Sequence, residues 1–407
     1  MRTPNTLPAL LIATLLATAC GGGGDAAPAA DPSAATEPTG TAAAATTAPA
    51  AVAAPTAEPP AADRVTAKTV ASGLRNPWSL AFLPDGRVLV TEKAGAMRIV
   101  GADGSVSAPL GGVPAVFSEG QGGLLDVVLS PDFARDATLF FTFAEPAGGG
   151  LARTAVGRAV LGDGAIGPVQ VIFRQSPAMS GTVHFGARLA FAPDGTLFVG
   201  LGERGDRNRA QGLDNHLGKV VRLRTDGSVP PDNPFVGQAG ALPEIWSYGH
   251  RNPQGAAIEP STGRLWTGEH GPQGGDEVNT PARGANHGWP VITFGVEYGS
   301  GAPIGEGTAR ADVAPPLHVW TPTSIAPGGM AFYGADRVPG WRGDLFAGAL
   351  VGRALVRLAV RDGRVVGEQR LLTDLGERIR DVKTGPDGHL YLITDSASGR
   401  LMRVELR

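Results

Sequence analysis

The sequence predicts an all-β chain folded as a six-bladed β-propeller. Three observations predict it. One strand–turn–strand unit recurs six times, Gly (60) and Pro (34) are abundant and mark turns, and no long stretch carries helical periodicity. Each unit is a short apolar strand, a turn built on Pro-Asp-Gly or a variant of it, a second apolar strand and a Gly-rich loop. The first runs from Trp78 through Pro84-Asp85-Gly86 to Glu92. The second starts at Leu124, turns at Pro131-Asp132 and resumes at Leu139. The third runs from Ala187 through Pro193-Asp194-Gly195 to Gly200, and the fourth from Gln254 through Pro260 and Gly263 to Glu269. The fifth starts at Gly329 and resumes at Asp344; the sixth runs from Ile379 through Pro386-Asp387-Gly388 to Thr394.

The turn chemistry fits. Pro presets φ at the first turn position, Asp closes the turn with its side chain, and Gly accepts positive φ. Further apolar strands follow most units, at Ala96–Val100, Val220–Arg224, Ala354–Leu358 and Arg400–Val404. Six units with room for four strands each give a propeller rather than a β-sandwich. Their uneven spacing, roughly 45 to 75 residues, leaves long loops for one face. In such a ring the strand before each Pro-Asp-Gly turn lies nearest the axis, so the segment leading into it sits at the rim of the central channel.

The ends of the 407-residue chain differ in kind. Met1-Arg2, an apolar run from Leu7 to Ala19 and then Cys20, the sole cysteine, read as a lipoprotein-type signal over residues 1–19. An ordinary cleaved signal with an incidental cysteine is the other reading. Residues 20–65 are dominated by Ala, Pro, Thr and Gly, too poor in bulky apolar surface to offset ordering entropy, and are expected to be a flexible tether. The propeller is then expected over 66–407, held on the periplasmic side by a lipid anchor, with the outer membrane favoured by Gly21. A net charge of −3 with no basic block excludes nucleic acid as a partner.

Several rim segments carry candidate chemistry. His184 sits in a Gly-flanked loop before the third unit, as a proton acceptor or as a loop-bracing histidine. Arg251-Asn252 precede the fourth unit; a guanidinium there suits an anionic oxygen, but Arg75-Asn76-Pro77 recurs before the first unit, so both motifs also read as structural corners. The loop Gly268–Asn279, with Glu269, Asp276 and Glu277 among glycines, reads as a Ca²⁺ loop or as a solvated acidic loop. Arg378 and Arg380 alternate and share one strand face, suited to a polycarboxylate or to solvent.

From Ala71 to the C-terminus these segments resemble the soluble PQQ-dependent (pyrroloquinoline quinone) glucose and aldose sugar dehydrogenases. The resemblance is carried by Gly120-Gln121, His184-Phe185-Gly186, Gly218-Lys219, Pro231-Asp232-Asn233, Arg251-Asn252-Pro253, Glu269-His270-Gly271-Pro272 and Arg378-Ile379-Arg380 in that order. It implies PQQ and Ca²⁺ as cofactors, an aldose sugar as substrate and an external electron acceptor. It further implies His184 as the general base, with Arg251 and Asn252 on the quinone oxygens and Gln121, Arg378 and Arg380 as further PQQ contacts. The backbone carbonyls of Gly271 and Pro272 match ligands of the Ca²⁺ beside PQQ; Glu277 and the backbone of His287 match a second Ca²⁺ site. Two positions depart from the pattern. Val351 stands where the family often has a lysine, with Arg353 two positions on and on the same face of a regular strand as a substitute contact. Val183 precedes the histidine where some relatives are polar. A Ca²⁺-dependent lactonase and a non-catalytic glycan- or protein-binding propeller are the alternative functions.

Overall fold

The structure, a computed structural model, describes residues 59–407; the expected signal, Cys20 and most of the expected tether lie outside the described residues. The described residues form six antiparallel sheets, and each contains one of the six sequence units. Blade 1 comprises Pro77–Phe82, Val88–Glu92 and Ala96–Val100; blade 2, Leu124–Leu129, Thr138–Gly148, Leu151–Val160 and Gln170–Arg174. Blade 3 comprises Gly186–Phe191, Leu197–Leu201, Lys219–Leu223 and Ile245–Tyr248; blade 4, Pro253–Ile258, Leu265–Glu269, Asp276–Asn279 and His318–Trp320. Blade 5 comprises Pro327–Phe332, Leu345–Ala349, Ala354–Arg361 and Arg364–Leu371. Blade 6 takes Ile379–Thr384, Leu390–Thr394 and Gly399–Leu406 from the C-terminus and its fourth strand, Val65–Leu74, from the start of the domain.

That last pairing closes the ring: Val65 lies opposite Leu406 and Leu74 opposite Gly399. The first strand of each blade is its inner strand, and each packs against the next, blade 6 returning to blade 1. The apolar core is accordingly divided into wedges between neighbouring blades. Leu89, Met97, Val127 and Phe141 fill the wedge between blades 1 and 2, and Leu80, Val90, Ile393 and Leu401 the wedge between blades 6 and 1. Buried threonines stitch second strands to the next inner strand: Thr91 donates to Leu125 O (2.6 Å) and Thr142 to Ala187 O (2.8 Å).

All six inner strands meet at one buried ion cluster. Arg188 of blade 3 is 1 % exposed and lies 3.1 Å from Asp126 of blade 2 and 3.2 Å from Asp381 of blade 6. Its Nε donates to Gln254 O of blade 4 at 2.7 Å, and its plane lies 4.0 Å from the Trp78 ring of blade 1. Ser79 of blade 1 donates to Asp126 at 2.6 Å. Blade 5 contributes only space. A Cβ on Gly329 would collide with Asp381 Oδ1 and crowd Arg188 Nη2.

Arg188→Met is therefore expected to lower stability by about 3–5 kcal/mol, because buried Asp126 loses its countercharge and Asp381 keeps only Lys383, at 3.7 Å. The urea midpoint checks it; a midpoint within error of the parent would remove the cluster from the account of ring closure.

Candidate active site

A cavity of about 440 Å³ opens at the rim where the inner strands begin. It is reached from every blade: Trp78 and Lys93 from blade 1, Gln121 before blade 2, His184 before blade 3, Arg251 before blade 4, Ala326 before blade 5 and Arg378 before blade 6. Of the residues singled out in the sequence, Gln121, His184, Arg251, Gly271, Arg378 and Arg380 line this one cavity. Pro272, Glu277 and His287 line a second, of about 10 Å³, that shares Arg251 and Gly271 with the first.

One sequence expectation needs correction. Arg353 lines neither cavity. The strand Leu345–Ala349 ends before it, the chain turns, and Arg353 stands at φ +45° with its guanidinium donating to Gly376 O at 3.2 Å. The alternation that would have put it on the face of Val351 holds only in a regular strand. Asn252 is buried and braces the inner strands of blades 3 and 4 through its amide oxygen, which accepts from Gly186 N (3.1 Å) and Gln254 Nε2 (3.2 Å), while its Nδ2 makes no hydrogen bond among the described residues.

His184 is held from several directions. Its backbone sits in the left-handed region (φ +51°), and its N–H donates to Gln121 Oε1 at 2.7 Å. A Cβ on Gly202 would collide with the His184 carbonyl, so that neighbour must be glycine. Nδ1 lies 2.7 Å from Glu203 Oε2, which also accepts from Gly205 N at 2.7 Å. This leaves Nε2 as the ring nitrogen available to a ligand. Arg204 clamps the loop: it donates to the carbonyls of Gly181, Val183 and Ala152 and stacks 3.6 Å from the Phe185 ring. Burial lowers its guanidinium to about 10.

Arg251 belongs to a structural corner and to the site at once. Its N–H donates to Glu269 Oε2 at 2.8 Å, as Arg75 N–H donates to Glu92 Oε1 at 2.8 Å in the other Arg-Asn-Pro segment. Arg75 is exposed, whereas the Arg251 guanidinium reaches the cavity, donating to His270 O at 3.0 Å with its Nε buried and unpartnered. Burial holds it below its ordinary value, and Glu203 opposes that fall. Across the cavity Arg378 and Arg380 both reach Asp395 Oδ2, at 2.9 and 3.0 Å, and Arg380 Nε is also buried without a partner. Burial would raise Asp395, but the two guanidiniums, Arg380 foremost, outweigh it and hold the carboxyl below its usual range. His270 is driven down to about 3 by burial and by Arg380, so it faces the cavity as a neutral imidazole.

The smaller cavity has the donors of a hard-cation site. Glu277 and Glu269 are bridged by Asn279 Nδ2, at 3.0 and 2.8 Å, and among the described residues no Lys or Arg pairs with either. Burial and the neighbouring Glu269 push Glu277 up, while His250 holds Glu269 down against its own burial. Asn279 Oδ1 is buried without a partner, and among the described residues nothing donates to Gly271 O. A void of about 10 Å³ walled by carboxylates and backbone carbonyls suits an oxygen-seeking cation. Among the described residues no three His, Cys, Asp or Glu side chains cluster as metal ligands, so carbonyls must complete any such shell.

Glu203, Asp395 and Lys93 were missed by sequence reasoning, although a signal for them existed. Glu92 and Glu269 end the second strand of their unit, and Asp395 and Glu203 lie one and two residues beyond it. Aligning the units by strand end, rather than by turn, exposes them.

A family model described as "Glucose / Sorbosone dehydrogenase" matches residues 74–403. The chain is 46% identical over 347 residues to the aldose sugar dehydrogenase YliI of Escherichia coli (strain K12), covering 84% of this chain and 93% of that one. A crystal structure of a glucose dehydrogenase aligns with TM-score 0.82 at 50% identity, over 84% of this chain and 100% of that one. The PQQ-bound form of an aldose sugar dehydrogenase from Streptomyces coelicolor aligns with TM-score 0.70 at 31% identity, over 86% and 100%.

Because the folded-state value of Asp395 is depressed, its stabilisation is complete above the unfolded aspartate value of about 3.9 and is lost as pH falls through the folded value. Asp395→Asn is expected to unfold at a lower temperature than the parent near neutrality, with the gap closing as pH drops below about 4. A gap that stays constant to acid would show that the carboxylate charge is not what holds Arg378 and Arg380.

Proposed function

The chain belongs to the glucose/sorbosone dehydrogenase family, and on that premise we propose that it oxidises aldose sugars at C1 to the lactone with PQQ and Ca²⁺ and yields the electrons to an external acceptor. The observation that carries this reading is the meeting of an imidazole, a partly unpartnered guanidinium and a free backbone carbonyl in one cavity, from residues as distant in sequence as 184, 251 and 271. The wall carries four cations (Lys93, Arg251, Arg378, Arg380) against two carboxylates (Asp276, Asp395), which suits a polycarboxylate ligand better than the converging acids a hydrolase would need.

When bound, PQQ supplies the two-electron acceptor for the hydride leaving the sugar C1, and Ca²⁺ withdraws charge from its quinone oxygen. The chain does the rest. His184 Nε2 accepts the proton of the anomeric hydroxyl, so that the C1–O bond becomes a carbonyl as the hydride departs. Glu203 at Nδ1 fixes the ring and stabilises the imidazolium that forms. Arg251, whose Nε has no partner, offers its guanidinium to a developing oxyanion. Gln121, Arg378 and Arg380 orient the cofactor, and the carbonyls of Gly271 and Pro272 would hold the Ca²⁺ beside it. Glu277 and the His287 backbone would hold the second ion.

Purified apoprotein given PQQ and Ca²⁺ is expected to reduce a dye with glucose or another aldose. His184→Ala should lower kcat by about 10²–10⁴-fold, the range for loss of a positioned base. Normal turnover in that variant would dismiss His184 as the base.

Export and lipid anchoring at Cys20 form part of the same proposal, supported by the signal-like residues 1–19. Cys20→Ser is expected to abolish incorporation of labelled fatty acid and to release the enzyme from the membrane fraction; undiminished labelling would refute the anchor.

A further inference from the structure

Lys93 occupies a place that the mechanism above does not use. It follows the second strand of blade 1, one position beyond Glu92, and lines the cavity. Its backbone is strapped between blades: its N–H donates to Asn76 O (3.1 Å) and its carbonyl accepts from Leu124 N (3.0 Å). The stem runs over Gly123, where a Cβ would collide with the Lys93 carbonyl and crowd its Cγ, so that glycine is what lets the side chain pass. At its end the ammonium donates to Gly120 O, and among the described residues no carboxylate lies within ion-pair distance of it. Of the four cations on the wall, Arg378 and Arg380 already share Asp395; Lys93 and Arg251 are the two whose charge no carboxylate pairs.

The fifth blade has nothing equivalent. Pairing aligns Ala349 of blade 5 with Glu92 of blade 1, each opposite the proline that opens its inner strand, so Leu350 corresponds to Lys93 and Val351 follows. Leu350 and Val351 line the cavity with apolar side chains, and Val351 is 59 % exposed.

We infer that Lys93 is a cofactor-anchoring residue: its ammonium pairs with a carboxylate of PQQ and supplies, from the first blade, a positive charge that the fifth blade withholds. This rests on the PQQ reading above. Burial already draws Lys93 below the ordinary lysine value, Asp395 opposing the fall and Arg380 adding a smaller one to it, so an anion arriving beside it offsets that desolvation by forming a charge-assisted hydrogen bond.

Equilibrium binding of PQQ to the Ca²⁺-loaded protein, read by quenching of tryptophan fluorescence, tests it without turnover. Lys93→Met is expected to weaken binding by about ten- to a hundred-fold, the range for losing one hydrogen bond to a charged group, while Lys93→Arg retains most of it. The trimethyl ester of PQQ, which lacks the carboxylate charges, should bind parent and Lys93→Met alike. Adding Val351→Lys to Lys93→Met should recover part of the loss, since that side chain opens on the same cavity. Thermal unfolding of each apoprotein confirms that the variants fold; should Lys93→Met not fold, Lys93→Gln replaces it. An unchanged PQQ constant in Lys93→Met overturns the inference, and so does an unchanged constant with a raised KM for the sugar, which would assign the ammonium to substrate. A parent protein that binds no PQQ with Ca²⁺ present overturns the cofactor reading itself.

Discussion

One buried guanidinium decides how the six blades meet. Arg188 lies against Asp126 and Asp381 with almost no exposure, and the strands that carry these residues come from three blades. Desolvating three charges is costly, and apolar side chains of similar size would give comparable or better stability. Such a cluster contributes registry. Six similar inner strands could slide past one another with little change in apolar contact, but only one register brings Ser79, Asp126, Arg188, Gln254 O and Asp381 within bonding distance above the open face of Gly329. The same register sets where the lead-in segments end. His184, Arg251 and Arg380 lie four residues before, three before and at the position where the cluster is tied, so the ion cluster and the cavity are two levels of one alignment.

The fold was legible because its unit repeats: all six expected inner strands begin within two residues of the observed ones. Closure of the ring was not. The strand Val65–Leu74 resembles any short apolar segment, and nothing local signals that its partner lies more than three hundred residues away at Gly399–Leu406. Arg188 was hidden likewise. It sits in an otherwise apolar strand, and only the assembled ring reveals that its partners come from other blades.

The site was legible in parts. Residues in lead-in segments were found because position relative to a strand predicts the rim. Arg353 was misplaced because it was projected along a strand that had already ended at Ala349. Asn252 carries a further task that no local signal announces: its amide oxygen braces Gly186 and Gln254 across two blades. The ambiguity over the Arg-Asn-Pro segments dissolves once both are seen: each is a corner fastened by the carboxylate of Glu92 or Glu269, and only the second also has a side chain in the cavity.

That pairing of roles has a physical basis. The carboxylate ending a second strand is braced from below by the sheet and satisfies an N–H or a ring nitrogen of the neighbouring lead-in: Glu92 with Arg75, Glu269 with Arg251, Glu203 with His184. At blades 1 and 4 the residue after it is freed from the ladder and faces the rim, as Lys93 and His270 do, whereas at blade 3 Arg204 turns back to clamp the loop. At blade 3 Glu203 thus carries both tasks, while at blades 1 and 4 the brace and the rim side chain fall on adjacent but separate positions. Exchanging the second leaves the brace, and hence the ring, untouched. A propeller built this way can hold charge at blade 1 and carry apolar side chains at blade 5, since a ligand at the axis senses the summed field of the rim rather than the blade from which each charge comes.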